Sequence, residues 1–565
     1  MKGLPKLPIG MGNFEEIITG GYAYVDKTSH LAEMACAGEY YFISRPRRFG
    51  KSLAISTLDA LFSGREELFH GLSAENFFKR SDYWACPVIS FDMSRISLKG
   101  GLAEFENGLK RQVVKNFERH SLVVSNAILE SACSALDDLL RNLLDSIGPA
   151  VVLIDDYDSP ILDLVRRGED SSPARKAFMD LFGRISDVLH KLRFVLVTGV
   201  TKFSPLGDLS AMNRLEDISR DARYASMLGF TEDELTRYFA PHIDGAAESC
   251  AAIRSVMVES IRNYYGGYSF DGKSAVCNPF STLSFLEERE FRGFWFDPAS
   301  LSFLKDYIKA KGLTVEQFRG IDVSNDSISA SGEIEHAPAV YLLYQIGCLT
   351  LRPGRAHEFT LDYPNREVRV ALSSLFVTNI LGSASESDES RRRLKRCLLD
   401  GDTKGVVAEF NRVIEAAPYD SLDRAARRAV RGLRLKIDAW EWLYSSTLLS
   451  YLIGMGLDVD SSLDSGGKAP NMVIKIPGRS WVIGLDIVKG CSEAGKAAES
   501  ILKRLKESGP VGGYDEAVLL GLLIDDERKS ITAFSSETDV SASGSAGGEN
   551  EPGAELEEVP APESG

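Results

Sequence analysis

Short, unbroken apolar segments alternate with stretches of helical periodicity through the first 225 residues of the chain. The segments YYFIS (40–44), CPVISFD (86–92), AVVLIDDYDSP (150–160) and FVLVTGVTKFS (194–204) contain runs typical of buried strands. Helical periodicity follows the first of them and returns in residues 103–117 and 127–148. Strands without polar alternation, separated by helices, indicate a mainly parallel sheet that is covered on both faces. The sequence therefore predicts an α/β core.

The segment SRPRRFGKS, residues 44–52, lies between the first predicted strand and the helix that follows it. It ends in Gly50, Lys51 and Ser52, as phosphate-binding loops do, but Arg45 occupies the position of the first glycine in GxxxxGK[ST]. In such a loop, backbone N–H groups and a helix N-terminus hold the phosphates, a lysine reaches the outer phosphates and a hydroxyl binds magnesium. Three matching residues recur by chance in long chains. The strand before them and the helix after them favour a nucleotide site.

Two acids follow the third predicted strand. Phosphoryl transfer requires a carboxylate that holds magnesium and a second acid that polarises the attacking water, and Asp155 and Asp156 fit these roles. Thr198, at the end of the next strand, is placed to contact the γ-phosphate. The alternative is that the acids only cap a strand before a Ser-Pro turn, and that Thr198 reflects strand propensity.

Beyond residue 225 the pattern changes twice. Residues 226–430 are predicted to be mostly helical, and residues 431–535 read as helix, strand, strand, helix and strand, which predicts a compact α/β module. The last thirty residues, 536–565, hold eight Asp or Glu and no Lys or Arg. Low hydrophobicity with high charge predicts a disordered acidic tail there.

Composition limits the classes of function. The formal net charge of −16 argues against a globally basic nucleic-acid-binding protein, although the tail carries half of that charge and local basic patches stay open. The chain lacks the long apolar run of a membrane span and the apolar segment of a signal peptide, so we expect a cytoplasmic protein. The eight cysteines are scattered without ligand spacing, which predicts buried free thiols in a reducing compartment.

Several motifs together resemble a known family. The segments LPIGMGNFEEIITGGYAYVDKT, YYFISRPRRFGKSLAISTLDALFSG, LIDDYDSPI, TGVTKFS, NYYGGYSF and NPFSTL closely resemble bacterial AAA-ATPase-like proteins that carry a PD-(D/E)XK nuclease-like domain at their C-terminus. The resemblance is specific over most of residues 5–285 and looser to about residue 535. That family itself reads RPRRFGKS, so Arg45 is part of its loop. The resemblance implies an AAA-like P-loop ATPase domain at 1–225, a helical lid or linker at 226–430 and a restriction-endonuclease-like module at 431–535.

The resemblance also assigns residues to the ATPase site. It implies that Gly50, Lys51 and Ser52 bind the phosphates of ATP and Mg²⁺, and that Asp155 is the metal-binding acid of the second motif. The family usually has glutamate at the next position, where this chain has Asp156. Aspartate is one methylene shorter, which sets its carboxylate back by roughly 1.5 Å, and ATP binding tolerates that change better than hydrolysis does.

The remaining loop residues have weaker assignments. Arg47, Arg48 and Phe49 complete the expected cofactor-binding loop, and the alternative for the two arginines is a solvated basic segment. Asp26 and Lys27, in YVDKT, match a family motif whose role the sequence does not give.

The C-terminal module departs from the nuclease pattern. A PD-(D/E)XK nuclease needs an acid on one strand and an acid, a spacer and a lysine on the next to bind metal and activate water. The aligned segment, GKAPNMVIKIPGRSWVIGLDIVKG, puts Asn471, Gly484 and Asp486 at these three positions, so we expect no cleavage. Basic residues on the following helix are placed either to meet a nucleic-acid backbone or simply to form a solvated face: Lys496, Lys503, Arg504 and Lys506.

Together these features predict a Mg²⁺-dependent ATP-binding protein, an ATPase, whose nucleotide state controls a catalytically degenerate nuclease-like module. The alternative is a slow or non-hydrolysing switch or scaffold that binds nucleic acid or a protein partner. An active nuclease is disfavoured. Proteins of this class often assemble, so a homo-oligomer is expected, with Arg214 or Arg220 as candidate arginine fingers in trans.

Overall fold

The computed structural model divides the chain into two compact units, residues 1–297 with 322–367 and residues 298–321 with 368–565. The residues that the structure describes are 4–38, 40–97, 101–123, 131–146, 148–167, 169–202, 215–295, 318–324, 328, 339–354, 359–381, 384–417, 427, 438–461, 472–489, 494–507, 516–540 and 555–558.

The first unit is built on a parallel five-stranded sheet, as predicted. Its strands are β1 (Tyr40–Ser44), β2 (Val88–Asp92), β3 (Ala150–Asp155), β4 (Leu192–Gly199) and β5 (Glu216–Asp217), in the spatial order β2-β3-β4-β1-β5. Every residue of β3 is buried, as expected for a central parallel strand. Because β4 lies between β1 and β3, the end of β4 separates the loop after β1 from the acids after β3.

Helices cover this sheet. They are α1 (Phe14–Thr19), α2 (Thr28–Ala37), α3 (Lys51–Phe62), α4 (Leu102–Arg119), α5 (Ala132–Ser146), α6 (Ser159–Arg166) and α7 (Ser172–Asp187). The buried face of α3 shows the cause of its position: Ile55, Leu58 and Leu61 recur at helical spacing and share one core cluster with Val151 and Leu153 of β3. Burying this apolar face fixes the start of α3 at the carboxyl edge of the sheet.

The rest of the first unit is mostly helical. It contains α8 (Glu232–Tyr238), α9 (Ala240–Ser249), α10 (Arg254–Tyr265), α11 (Pro279–Glu288) and α12 (Ala339–Gln345). A small sheet that the sequence did not predict lies within the same stretch of chain, with strands β6 (Ile321–Val323), β7 (Thr350–Pro353) and β8 (Phe359–Asp362) in the order β6-β8-β7. These strands are three or four residues long, too short for a clear period-2 pattern.

Helices and a mixed sheet form the second unit. The helices are α13 (Arg366–Leu381), which begins at the boundary between the units, α14 (Ala384–Asp400), α15 (Thr403–Ala416), α16 (Ala439–Gly454) and α17 (Ala494–Glu507). The strands are β9 (Asp458–Ser461), β10 (Met472–Ile476), β11 (Arg479–Val488), β12 (Glu516–Asp525), β13 (Ser530–Val540) and β14 (Glu555–Glu558). Their order is β14-β13-β12-β11-β10-β9, and the β11–β12 pair is parallel whereas the other pairs are antiparallel.

The C-terminal sheet is larger than the sequence suggests. The predicted helix, two strands, helix and strand correspond to α16, β10, β11, α17 and β12, while β9 and β13 are additional. Residues 536–540 of β13 and residues 555–558 of β14 form strands within the segment for which the sequence predicts disorder. Over the described part of the chain, no helix combines the length and the apolar character needed to cross a membrane.

The cysteines differ in exposure. All seven in the described ranges are free, and Cys86, Cys277 and Cys348 are buried. Cys36 and Cys250 are exposed, so the expectation that the thiols are buried is wrong for these two. Both lie at the C-terminal end of a helix, Cys36 in the last turn of α2 and Cys250 directly after α9. Cys491 lies outside the described residues.

Candidate nucleotide-binding site

The loop between β1 and α3 is left-handed at two points. Arg48 has φ 65° and Gly50 has φ 95°, a conformation that glycine adopts at little cost. Helix α3 begins directly after it at Lys51. The N–H groups of Gly50, Lys51 and Ser52 find no acceptor among the residues that the structure describes. Free N–H groups at the N-terminus of a helix form a site for an anion.

Lys51 folds back into this loop. Its side chain is buried, and Nζ donates to the carbonyl oxygens of Arg45 and Pro46, at 3.2 Å each. The same Nζ lies 3.4 Å from Oδ1 of Asp156. The ammonium group is therefore held where the loop, the helix start and the end of β3 meet.

Asp155 ends β3 as a buried carboxylate. Its Oδ1 accepts a hydrogen bond of 2.6 Å from the Thr198 hydroxyl. Burial and the neighbouring Asp156 raise the pKa of Asp155, while hydrogen bonds from the hydroxyls of Ser52 and Thr198 act in the opposite direction. A divalent cation would offset the repulsion between the two acids.

The donor set at this point fits Mg²⁺. A carboxylate of Asp155 and the hydroxyl of Ser52 supply hard oxygen ligands, and Mg²⁺ typically takes one or two protein ligands together with waters and substrate phosphates. The described residues contain no group of three or more His, Cys, Asp or Glu side chains that could hold a metal ion by themselves.

Asp156 and Thr198 connect the ends of β3 and β4. Asp156 has φ 46°, and its N–H donates to Thr198 Oγ1 at 3.2 Å. The Thr198 hydroxyl thus joins the side chain of Asp155 to the backbone of Asp156, and Thr198 itself is buried. The structure brings together the five predicted residues Lys51, Ser52, Asp155, Asp156 and Thr198.

Arg45, in place of a glycine, braces the loop from behind. It is 1% exposed, and its guanidinium donates to the carbonyl oxygens of Ser219 (2.6 Å) and Tyr224 (3.2 Å). The guanidinium also lies 3.9 Å over the Phe270 ring. Burial lowers the pKa of Arg45 to about 10. Its side chain points into the protein and leaves the anion site to backbone groups.

Arg48 and Phe49 also use their side chains within the protein. The Arg48 guanidinium donates to the Phe294 carbonyl at 2.9 Å and lies over an aromatic ring. Phe49 is buried and packs edge-to-face on Tyr268, with ring centroids 4.8 Å apart. The Arg47 carbonyl accepts a hydrogen bond from the protein as well. Any contribution of Arg48 and Phe49 to cofactor binding would therefore come mainly from their backbone N–H groups.

Asp158 is a residue that sequence reasoning missed. It is completely buried, and its carboxylate accepts from the N–H of Val200 (3.0 Å) and from the N–H and hydroxyl of Thr201 (2.6 and 2.7 Å). Burial raises the pKa of Asp158. These bonds tie the turn after β3 to the chain after β4. The sequence signal was present in DYDSP and TGVT, but their pairing is a contact over about 40 residues.

Asp26 and Lys27 have structural partners. Asp26 accepts from the N–H and hydroxyl of Thr28 and from the N–H and hydroxyl of Ser73, the last two at 2.7 Å. Lys27 donates to the Ser226 carbonyl at 2.7 Å and pairs with Glu234 at 2.5 Å. The YVDKT motif therefore joins the start of α2 to two distant segments of the first unit.

The arginines proposed to act in trans have different positions. Arg214 lies outside the described residues. The Arg220 guanidinium lies 5.2 Å over the Phe359 ring of its own chain, and the residue is only partly exposed. In this arrangement Arg220 is engaged within the first unit.

The three positions that the sequence compares with a nuclease site differ in their surroundings. Asn471 lies outside the described residues. A Cβ at Gly484 would come within 2.8 Å of Ile501 and 3.1 Å of Leu505, both on α17, so a carboxylate does not fit there. Asp486 pairs with Arg504 of α17 at 2.8 Å. Of the other basic residues of this helix, Lys506 pairs with Glu537.

The sheet order and the loop between β1 and α3 define a P-loop-like α/β protein. A model of the AAA-ATPase-like family, described as a predicted AAA-ATPase, matches residues 8–207. Over 545 residues, the chain is 30% identical to a protein of Azotobacter chroococcum mcd 1 named "Uncharacterized protein in vnfD 5'region", covering 94% of this chain and 98% of that protein. The chain belongs to the AAA-ATPase-like family. The family match ends at residue 207, within the first unit, and covers no residue of the second unit.

Proposed function

We propose that the chain is a Mg²⁺-dependent ATPase whose site lies between β1, β3 and β4. The observation that carries this proposal is that the N–H groups of Gly50, Lys51 and Ser52 find no acceptor among the described residues, next to a buried ammonium group that lies 3.4 Å from Asp156. Backbone donors, one cation and a carboxylate pair are the parts that phosphoryl transfer requires.

Each residue has a distinct part in this proposal. The Lys51 ammonium neutralises charge on the β- and γ-phosphates after leaving the carbonyl oxygens of Arg45 and Pro46. Ser52 and Asp155 would hold Mg²⁺, which when bound neutralises phosphate charge. Asp156 orients the attacking water, and the Thr198 hydroxyl keeps Asp155 in place.

The test compares ATP binding and phosphate release in the full chain and two variants. Lys51→Ala removes the cation at the phosphates and is expected to reduce phosphate release by about 100-fold or more. Asp156→Glu extends the carboxylate and is expected to raise turnover. Lys115→Ala, on an exposed face of α4, is the charge-matched control and should match wild type. Wild-type protein that binds no ATP would refute the proposal.

A second candidate, a nucleotide switch that hydrolyses ATP slowly, is favoured by one contact. Asp156 is paired with Lys51, and its short side chain has less reach than the glutamate usual in similar proteins. The two candidates differ in turnover. Tight binding of ATP by wild type without phosphate release, together with release by Asp156→Glu, would support the switch.

We propose that residues 431–535, in the second unit, form a nuclease-like module without cleavage activity. The other segments of the proposed division are the ATPase domain at 1–225, the helical region at 226–430 and the acidic tail at 536–565. The order α16, β9, β10, β11, α17 and β12 and the parallel β11–β12 pair support the fold, and the packing of α17 over Gly484 supports the lack of activity. We also propose a nucleic-acid or protein partner, a homo-oligomer and a cytoplasmic location.

Full-length protein incubated with supercoiled plasmid and Mg²⁺ should leave the plasmid intact. Metal-dependent nicking that is lost in Asp486→Asn would contradict this.

A further inference from the structure

Glu367 is a buried carboxylate that the proposed reaction does not use. It lies in the first turn of α13 and is 1% exposed. Its Oε1 accepts from the N–H of Phe294 (2.5 Å), the N–H of Trp295 (2.8 Å) and the hydroxyl of Ser281 (3.2 Å). Three donors on one oxygen fix the backbone of residues 294–295.

Residues 294–295 in turn hold the phosphate loop. Trp295 Nε1 donates to the carbonyl oxygen of Arg47 at 3.0 Å, and the Arg48 guanidinium donates back to the carbonyl oxygen of Phe294 at 2.9 Å. Two adjacent residues of the loop are thus bonded to two adjacent residues of this segment, in opposite directions. The aromatic ring of Trp295 also packs on Tyr268, with centroids 6.1 Å apart, and Tyr268 packs on Phe49.

The bond to Arg47 has a consequence for the anion site. A trans peptide is planar, so its C=O and its N–H point in opposite directions. Because the carbonyl of Arg47 points at Trp295, the N–H of Arg48 in the same peptide points away from Trp295. That N–H has no acceptor among the residues that the structure describes. Trp295 therefore sets the direction of one donor of the loop.

We infer that Glu367 and Trp295 are positioning residues for the nucleotide: they orient the 47–48 peptide so that the Arg48 N–H joins those of residues 50–52 around the phosphates. This inference rests on the proposed ATP site. It adds a functional role to a cluster that lies about 250 to 320 residues along the chain from the loop, in a segment that the predicted site does not include.

The experiment measures the dissociation constant of a fluorescent ATP analogue with Mg²⁺ in the full chain. Trp295→Phe keeps an aromatic ring against Tyr268 and removes the donor to Arg47, so it should weaken binding by about five-fold, the effect of one lost hydrogen bond. Glu367→Ala should weaken it at least as much. Glu367→Gln keeps an oxygen acceptor and should restore binding to within about two-fold of wild type.

A matched control separates positioning from general stability. Tyr265→Phe removes a buried hydroxyl that bonds to Arg292 in the same segment but makes no contact with the loop in the described structure. Melting temperatures without nucleotide are measured for all variants. Positioning predicts weaker binding in Trp295→Phe than in Tyr265→Phe at similar melting temperatures. Equal binding by these two variants, with wild type binding normally, would overturn this inference and leave the ATP site intact. Absence of binding by wild type would instead overturn the ATP site itself, and this inference with it.

Discussion

The two sheets of the molecule differ in what lies beyond their central strands. In the first unit, helix α3 follows the loop after β1, and the side chain of its first residue, Lys51, lies 3.4 Å from Asp156 at the end of β3. In the second unit, helix α17 lies across β11, and its side chains fill the space over Gly484. Both regions carry polar residues on central strands. Whether such a strand can form a ligand site depends on whether a helix starts beyond it or packs on it.

The largest expected effect concerns Gly484, where side chains of α17 fill the space over the strand. Gly484→Glu would place a carboxylate against Ile501 and Leu505, so we expect it to destabilise the second unit by about 4 kcal/mol, from overpacking and a buried charge together. Calorimetry of the full chain measures this as a lower transition temperature. Gly484→Ala, which adds only the Cβ, should cost clearly less. A stable Gly484→Glu variant that binds Mg²⁺ would show that the site is open after all.

The next effect concerns Asp158, which fixes the turn after β3 beside the candidate nucleotide-binding site. Asp158→Ala leaves the N–H groups of Val200 and Thr201 and the Thr201 hydroxyl without their acceptor. We expect a loss of about 3 kcal/mol in the free energy of unfolding and a reduced ATP affinity. Asp180→Ala, an exposed acid on α7, serves as the control and should change neither quantity. Unchanged stability in Asp158→Ala would mean that other contacts hold the turn after β3.

Glu367 gives the folding stability of the protein a dependence on pH. Burial raises the pKa of this carboxyl to about 7 from an ordinary 4.5, against the opposing effects of its hydrogen bonds and of Arg48. The tyrosines that face it, Tyr264, Tyr265 and Tyr268, have pKa values above their ordinary value and keep their protons in this range. The native state therefore holds a proton that the unfolded state releases, so stability falls as pH rises from about 4.5 to 7 and then levels off.

Glu367→Gln should remove this pH dependence. In wild type we expect the free energy of unfolding to fall by an amount on the order of 2 kcal/mol between pH 5 and pH 8. Denaturation midpoints in urea at pH 5 and pH 8, for wild type and the variant, measure it. Equal slopes in the two proteins would show that Glu367 titrates near its ordinary value.

The smallest expected effect concerns the ion pair between Asp486 of β11 and Arg504 of α17. Asp486 and Arg504 are both about 40% exposed, and exposed ion pairs contribute little. Asp486→Asn should change stability by about 0.5 kcal/mol or less, and Arg504→Gln by a similar amount. A much larger loss would indicate that the pair, rather than the apolar contacts of α17, keeps this strand covered.

The sequence predicted the features that depend on local pattern. Strand β1 was expected at residues 40–44 and lies there, because residues 41–43 form a short apolar run and are buried. Strands β5 and β9 were not predicted, since ED and DVDS are short and polar. The positions of Lys51, Asp155 and Thr198 at one sheet edge also followed from strand ends.

Features that depend on distant contacts were out of reach. Nothing local indicates that Arg45 reaches Ser219, about 170 residues further on, or that Asp158 binds Thr201. The same holds for Gly484, where a glycine reads as the loss of an acid, while the structure shows that it makes room for a helix. In these cases the residue type is informative only once its neighbours in space are known.

The contacts of Lys51 have a consequence for ligand entry. Its charge is already compensated by two carbonyl oxygens and by Asp156, so the Lys51 ammonium group is not a bare buried cation. Phosphate entry at the proposed site is therefore an exchange of counter-ions, in which the incoming anion competes with Asp156 for the same ammonium group. The step that admits the phosphate also releases Asp156. Phosphate binding at the loop and the release of Asp156 to orient the attacking water would thus be a single event.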